Sequence, residues 1–152
     1  GSIPMSDTTV YVDADACPVV DDVVELVDES RIVIVHNRHH NINVEAENVT
    51  VRQSGDRADA ADHYIYNHLD AGDIVITDDL GLAGLVLGRD GRVLRFRGDR
   101  PTKDDIDLRL AIREAARRER QKSRRVSGPP EFTEEDRDSF RQGLIKLLDK
   151  AS

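Results

Sequence analysis

Two stretches of this chain, RIVIVH at residues 31–36 and DIVIT at residues 73–77, are apolar at every central position rather than at alternate ones. A strand with one wet face alternates, whereas an unbroken Val/Ile run belongs to a strand covered on both faces, the situation of a parallel sheet between two layers of helices. Shorter β-branched or aromatic runs at 10–12, 49–51 and 93–96 read as further strands. The intervening segments have helical spacing. Val19, Val20, Val23, Val24, Leu26 and Val27 follow Pro18, which stands at a first-turn position, and Ser30 closes that helix. Ile65 and Leu69 share one face of 58–69, which AGD at 71–73 ends, and 80–87 reads as a short helix interrupted by glycines. Segment 36–47 is polar and irregular and reads as a loop. Strands alternating with helices predict an α/β fold: a doubly wound parallel sheet of about four to five strands flanked by helices.

A length of 152 residues allows one good core and not two. The expected domain spans 6–126, and SGPP at 127–130 links it to a C-terminal helical appendage that packs on the same domain through 152. Thr102 and Thr133 are expected N-caps, the second followed by Glu134, Glu135 and Asp136, which suit the positive end of a helix. Residues 1–4 read as a cloning remnant. No apolar stretch approaches membrane-spanning length and no segment resembles a secretion signal. Cys17 is the only cysteine, which excludes an internal disulfide and a cysteine-cluster zinc site and fits a cytoplasmic protein.

The formal charge of −8 conceals a division along the chain. Residues 1–88 carry 17 acidic and 4 basic side chains, whereas residues 89–152 carry 13 acidic and 18 basic ones. Eight of those basic residues lie within 109–125, opposed there only by Glu114 and Glu119. Such a helix either presents a solvated face or grips phosphates.

The aspartates carry the chemistry. In an open parallel sheet, ligands bind beyond the carboxyl ends of the strands. Asp13 and Asp15 follow the first strand, Asp59 and Asp62 open the helix after the third, and Asp78 and Asp79 follow the strand at 74–77. Gathered in one cleft, like charges raise one another's pKa unless a cation neutralises them, and hard oxygen ligands select Mg²⁺ or Mn²⁺. Asp13, Asp79, Asp62, Asp59 and Asp78 are the candidate metal ligands, and Asp13, Asp15, Asp59, Asp62 and Asp79 the candidate catalytic carboxylates. Asp15 and Asp78 have an alternative use as helix caps, and Asp59 and Asp62 as partners of a helix dipole. Cys17 lacks an evident histidine partner and reads as a small buried residue. His36, His39 and His40 fall in HNRHHN, where a substrate contact or incidental polarity is expected before zinc. Thr77 is placed to meet a substrate or to support the Asp79 turn. Phosphate-loop, dinucleotide, zinc-protease and serine-hydrolase signatures are absent.

DADACP at 13–18, DAAD at 59–62 and GDIVITDDLGLA at 72–83 resemble, in order and spacing, the YaiI/YqxD-like family of uncharacterised bacterial proteins. Arg97-Gly98, Thr102 with Ile106, and the closing GPP, FTEEDR and Phe140 extend the resemblance over nearly the whole chain. Pro101 and Asp105 depart from it, standing where the family favours tyrosine and asparagine. The family is similar to PIN-like nucleases, which implies an acidic site of Asp13, Asp59 or Asp62, and Asp79, with Asp15 nearby. The expected activity is metal-dependent hydrolysis of phosphodiester bonds in RNA or single-stranded nucleic acid, with Mg²⁺ or Mn²⁺ as cofactor and no membrane partner. Asn37, Thr77, Arg97, Thr102, Arg113 and Arg117 are the candidate substrate contacts. Two other readings compete. A haloacid-dehalogenase-type phosphatase also opens on Asp-x-Asp, but its lysine ahead of the acidic pair is missing, the first lysine here being Lys103. A non-catalytic RNA- or protein-binding module would keep the fold with a degenerate site.

Overall fold

The computed structural model describes residues 7–36, 44, 46–55, 60–123 and 131–151. Its elements run β1 (Thr9–Asp13), α1 (Val20–Leu26), β2 (Arg31–His36), β3 (Val49–Gln53), α2 (Ala60–His68), β4 (Ile74–Ile76), α3 (Leu80–Gly88), β5 (Arg92–Leu94), α4 (Ile106–Ser123) and α5 (Glu134–Ala151). All five strands are parallel and lie in the order β3-β2-β1-β4-β5. The expected α/β class and doubly wound sheet are therefore present, and the architecture is consistent with a PIN-like fold. The expected linker at 127–130 and residues 1–4 lie outside the described residues, as does most of the loop at 36–47.

The unbroken Val/Ile runs are covered as their composition requires, because successive side chains enter different layers. Val10, Val12, Ile32, Ile34, Ile74, Ile76 and Leu94 face α1 and α5, which contribute Val23, Phe140, Leu144 and Leu147. Tyr11, Val33, Val35, Val75 and Val93 face the opposite way, towards Ile65 of α2, Leu82, Ala83 and Val86 of α3, and Ile106 of α4. The C-terminal helix packs on the same domain and fills the middle of one face, where Phe140 and Leu144 are wholly buried. Its start carries the expected Thr133 cap, which the structure closes into a capping box: Thr133 Oγ1 accepts from Asp136 N (3.1 Å), and Asp136 Oδ2 accepts from Thr133 N (3.0 Å). Buried Asp22 of α1 fixes the helix laterally by pairing with Arg137 and, at 2.8 Å, Arg141.

Three boundaries differ from the sequence expectation. α1 begins at Val20, so Pro18 belongs to the turn before it, and it ends at Leu26, four residues before Ser30. The early end has a cause: Asn48 Nδ2 donates to both Val27 O and Ser30 O at 2.9 Å, holding 27–30 in a turn that feeds β2. β5 stops at Leu94, because Arg95 N donates to Asp99 O (2.8 Å) and Gly98 N to Arg95 O (3.0 Å), folding 95–99 away from the ladder. Gly98, at φ +92°, permits that fold; a Cβ there would also stand 2.5 Å from Ser139 O of α5. Thr102 heads a turn just ahead of α4, with Asp105 Oδ1 accepting from its amide at 2.9 Å and Ile106 N donating to its carbonyl at 3.0 Å. Among the described residues no helix is long and apolar enough to cross a membrane.

Because Phe140 is a wholly buried aromatic side chain on the face shared by β1, β4 and α1, Phe140→Ala is expected to cost roughly 3–5 kcal/mol in urea-monitored unfolding. A loss below ~1 kcal/mol would mean that α5 is not part of the core in solution.

Candidate functional site

The chain leaves β1 to one side for β2 and β3 and returns on the other side for β4 and β5, so β1 and β4 are neighbours whose following loops diverge. A crevice opens at such a reversal, beyond the carboxyl ends of the strands. Asp13 is the last residue of β1, and Thr77, Asp78 and Asp79 follow directly on β4.

The wholly buried Thr77 ties these loops together. Its Oγ1 donates to Asp13 Oδ2 at 2.8 Å and accepts from Asp79 N at 3.0 Å. Asp79 caps α3, its Oδ1 accepting from Gly81 N (2.8 Å) and Leu82 N (3.2 Å). The alternative in which Asp78 caps this helix is thereby corrected, since Asp79 does so. Asp78 instead holds the β5 loop: its Oδ1 accepts from Phe96 N at 2.9 Å and lies 3.6 Å from Arg95 Nε. After β1, Ala14 N donates to Val35 O (2.9 Å) and Cys17 N to Ala14 O (3.1 Å), while Ala16 adopts φ +61°. A non-glycine residue in the left-handed region is uncommon and carries strain that the surrounding structure must hold. The strained turn lies at the edge of the cleft.

Asp13 is the electrostatic centre. Burial pushes its carboxyl up from the ordinary 3.8 to about 6; the Thr77 hydrogen bond opposes the rise, and the charges of Asp79, Asp15 and Asp78 add to it. Among the described residues, Asp13 Oδ1 and Asp79 Oδ2 have no hydrogen-bond partner, so each carboxylate keeps one open oxygen. Asp13, Asp15, Asp78 and Asp79 line one cleft of about 480 Å³, together with Ala16, Pro18, Phe96, Arg97 and Phe132. Among the described residues, no three of His, Cys, Asp and Glu are grouped closely enough to enclose an ion by themselves.

The remaining candidates separate. Arg97 enters the cleft and is held there by Asp136 at 3.2 Å. Arg113 reaches within 3.8 Å of Asp79 Oδ1 from α4. α4 lies against the glycines of α3, with Ile106 and Leu110 beside Gly84 and Arg113 beside Gly81, so it runs antiparallel to α3 and passes its amino end at Arg113. Beyond that point residues 115–121 are all exposed, and the basic half of the helix continues past the acidic edge of the sheet. Arg117 stands on this projecting half, paired with Glu114 at 2.8 Å. Asp62 is half-buried in the first turn of α2 and is not among the described residues that line the cleft. Thr102 lines a different pocket. Asp59, Asn37, His39 and His40 lie outside the described residues. His36 is buried at the end of β2, and burial pushes the Cys17 thiol up to about 12, the state of an inert residue. The sequence reading missed Phe96 and Phe132, the apolar walls; an aromatic residue directly ahead of the Thr133 cap is the local sign of the second.

The family profile described as "Uncharacterized BCR, YaiI/YqxD family" matches residues 11–150. A UPF0178 protein of Oceanobacillus iheyensis is 35% identical over 144 residues, covering 93% of this chain and 99% of that protein. A UPF0178 protein of Enterococcus faecalis is 36% identical over 145 residues (93% and 98%), and one of Halalkalibacterium halodurans is 36% identical over 142 residues (91% and 89%). No solved structure matches.

The raised pKa of Asp13 has a definite sign for stability. Between about pH 4 and 6 the folded protein keeps a proton that the unfolded chain has released, so stability falls as pH rises through that window. Without added metal, Asp13→Asn should therefore be more stable than wild type above pH 6, with the difference vanishing towards pH 4. Chemical denaturation at several pH values measures this, and identical pH profiles for the two proteins would refute it.

Proposed function

We propose that this chain, which belongs to the YaiI/YqxD family, is a divalent-metal-dependent nuclease that hydrolyses phosphodiester bonds in RNA or single-stranded nucleic acid. The observation that carries the reading is the pair formed by Asp13 and Asp79. Both stand at the reversal of the sheet, both are held in place through one buried hydroxyl, and each retains one open carboxylate oxygen.

That donor set suits Mg²⁺ or Mn²⁺. Mg²⁺ keeps several waters and is commonly bound by one or two carboxylates plus substrate phosphate oxygens, so a closed cage of three acidic side chains is not required. Asp13 and Asp79 would hold the ion, with Asp15 and Asp78 beside them; Asp62 and the undescribed Asp59 are the further ligands that the PIN-like resemblance implies. Such an ion, when bound, supplies Lewis acidity for the phosphoryl group and lowers the pKa of an attacking water. Thr77 keeps the Asp13 carboxylate aimed by occupying its other oxygen. Arg113, beside Asp79, offers a guanidinium to a phosphate. Phe96 and Phe132 line the cleft with apolar surface. The projecting half of α4, with Arg117, Arg118 and Arg120, supports a nucleic-acid substrate, because its cations lie where a phosphodiester chain would run on from the cleft. Lys103, the first lysine that a phosphatase of the haloacid-dehalogenase type could use, lines the pocket beside Thr102 and not the acidic cleft.

Asp79→Asn is an informative substitution because asparagine is as good an N-cap as aspartate, so α3 keeps its cap while the carboxylate is lost. The expected outcome is a fall in Mn²⁺- or Mg²⁺-dependent cleavage of single-stranded RNA by about a hundredfold or more, with RNA binding nearly unchanged. Mn²⁺ should also raise the thermal midpoint of wild type more than that of Asp13→Asn. Complete absence of metal-dependent cleavage on RNA and DNA of either strandedness, with equal metal-induced shifts in both proteins, would leave the non-catalytic binding module as the better reading.

Neutralising Arg117, Arg118 and Arg120 together tests the arm. For every phosphate that the variant no longer neutralises, the slope of log affinity against log salt should shrink by about 0.7 on a single strand. An unchanged slope would remove α4 from the binding surface.

A further inference from the structure

β5 is an edge strand, and a second pocket of about 510 Å³ lies beside its amino end, away from the acidic cleft at the carboxyl ends. Leu87, Val93, Pro101 and Leu147 give this pocket apolar surface, and Arg92, Arg100 and Lys103 contribute three cations against the single carboxylate of Asp90. The three cations are differently committed. Arg92 is fixed: its Nε and Nη2 donate to Gly72 O at 3.1 and 2.7 Å and its Nη1 to Leu147 O at 3.0 Å, which uses three of its five N–H groups. Lys103 pairs with Asp90 at the exposed rim. Arg100 is half-buried and has no hydrogen bond or ion pair with any described residue.

At the wall of this pocket the Arg100 guanidinium and two N–H groups of Arg92 are donors that no described residue occupies, so they are left to solvent or to a ligand. A carboxylate or phosphate would satisfy both, and the volume is that of a site for a small organic molecule rather than an inorganic ion alone. Thr102, singled out in the sequence but remote from the acidic cleft, lines this pocket as well.

We propose that the pocket at the amino end of β5 binds a small organic anion, its carboxylate or phosphate meeting Arg100 and Arg92 and its apolar part lying against Leu87, Val93 and Pro101. This site goes beyond the nuclease reading and does not depend on it, since the two pockets share no residue.

The test is an amide-shift titration of the full chain with phenyl phosphate, with inorganic phosphate and phenol as half-ligand controls, in the absence of divalent metal. Phenyl phosphate should bind saturably, shifting the amides of Gly91, Thr102 and Lys103, and at least about tenfold more tightly than either half. Arg100→Gln removes no hydrogen bond or ion pair among the described residues and should weaken binding about tenfold or more, the effect of losing a charge-assisted hydrogen bond. Lys103→Gln should weaken it less. Benzoate, titrated in parallel, distinguishes a carboxylate site from a phosphate site, and saturable binding of either supports the proposal. Binding no tighter than that of inorganic phosphate, or equal binding by Arg100→Gln, overturns it, and so do shifts confined to the loops of Asp13 and Asp79. None of these outcomes bears on metal-dependent cleavage.

Discussion

The Thr77 hydroxyl stands between the ends of two adjacent strands, giving its proton to Asp13 and receiving that of the Asp79 amide. Remove it, and the two loops that bound the crevice lose their shared anchor. Because Thr77 is buried, its own groups must be satisfied internally, and the Asp13 oxygen and the Asp79 amide do so. This one arrangement orients the Asp13 carboxylate, sets the turn in which Asp79 can cap α3, and offsets in part the burial that would otherwise protonate Asp13 still more readily. The rest of the cleft is arranged around it: Asp78 turns aside to hold the β5 loop, and the strained turn at Ala16 contributes to the cleft wall.

Charge separation along the chain becomes spatial separation across the molecule by way of the packing of α4 on α3. Ile106 and Leu110 lie over Gly84 and Arg113 over Gly81, which fixes the direction of α4 and carries its arginines past an acidic edge instead of over it. The acidic half of the sequence can then gather carboxylates in one cleft while the basic half stands beside it. The two charge sets meet at a few points: Arg113 of α4 comes within 3.8 Å of Asp79, Arg95 lies 3.6 Å from Asp78, and Arg137 and Arg141 hold Asp22 away from the cleft.

Much of this was legible in the sequence where side-chain pattern and local chemistry coincide. RIVIVH becomes a strand at the expected residues, with Arg31 exposed and all five positions from Ile32 to His36 buried, because a strand covered on both faces accepts such an unbroken run. Thr133 caps α5 because hydroxyl and carboxylate stand three apart. Asp13, Asp78 and Asp79 share an edge because parallel strands deliver their ends to the same side. What was not legible depends on partners distant in sequence. Asn48 ends α1 from outside the helix, Asp22 is buried by Arg137 and Arg141 from a helix more than a hundred residues on, and Phe132 joins Asp13 in lining the cleft only after the chain has crossed the whole sheet. Which aspartate caps α3 was equally beyond the sequence, since Asp78 and Asp79 are adjacent and a turn of one residue decides between them.

The position of α5 bears on how a ribosome delivers this protein. One face of the sheet is assembled from strands lying between Thr9 and Leu94, yet the side chains that cover its middle, Phe140, Leu144 and Leu147, are translated only after all five strands and α4. During synthesis that face stays wet while all five strands are already outside the exit tunnel or passing through it. The nascent chain thus has a period in which the part of this surface that α1 leaves uncovered is open to chaperones or to neighbouring polysomes, and the arrival of α5, not completion of the sheet, closes it.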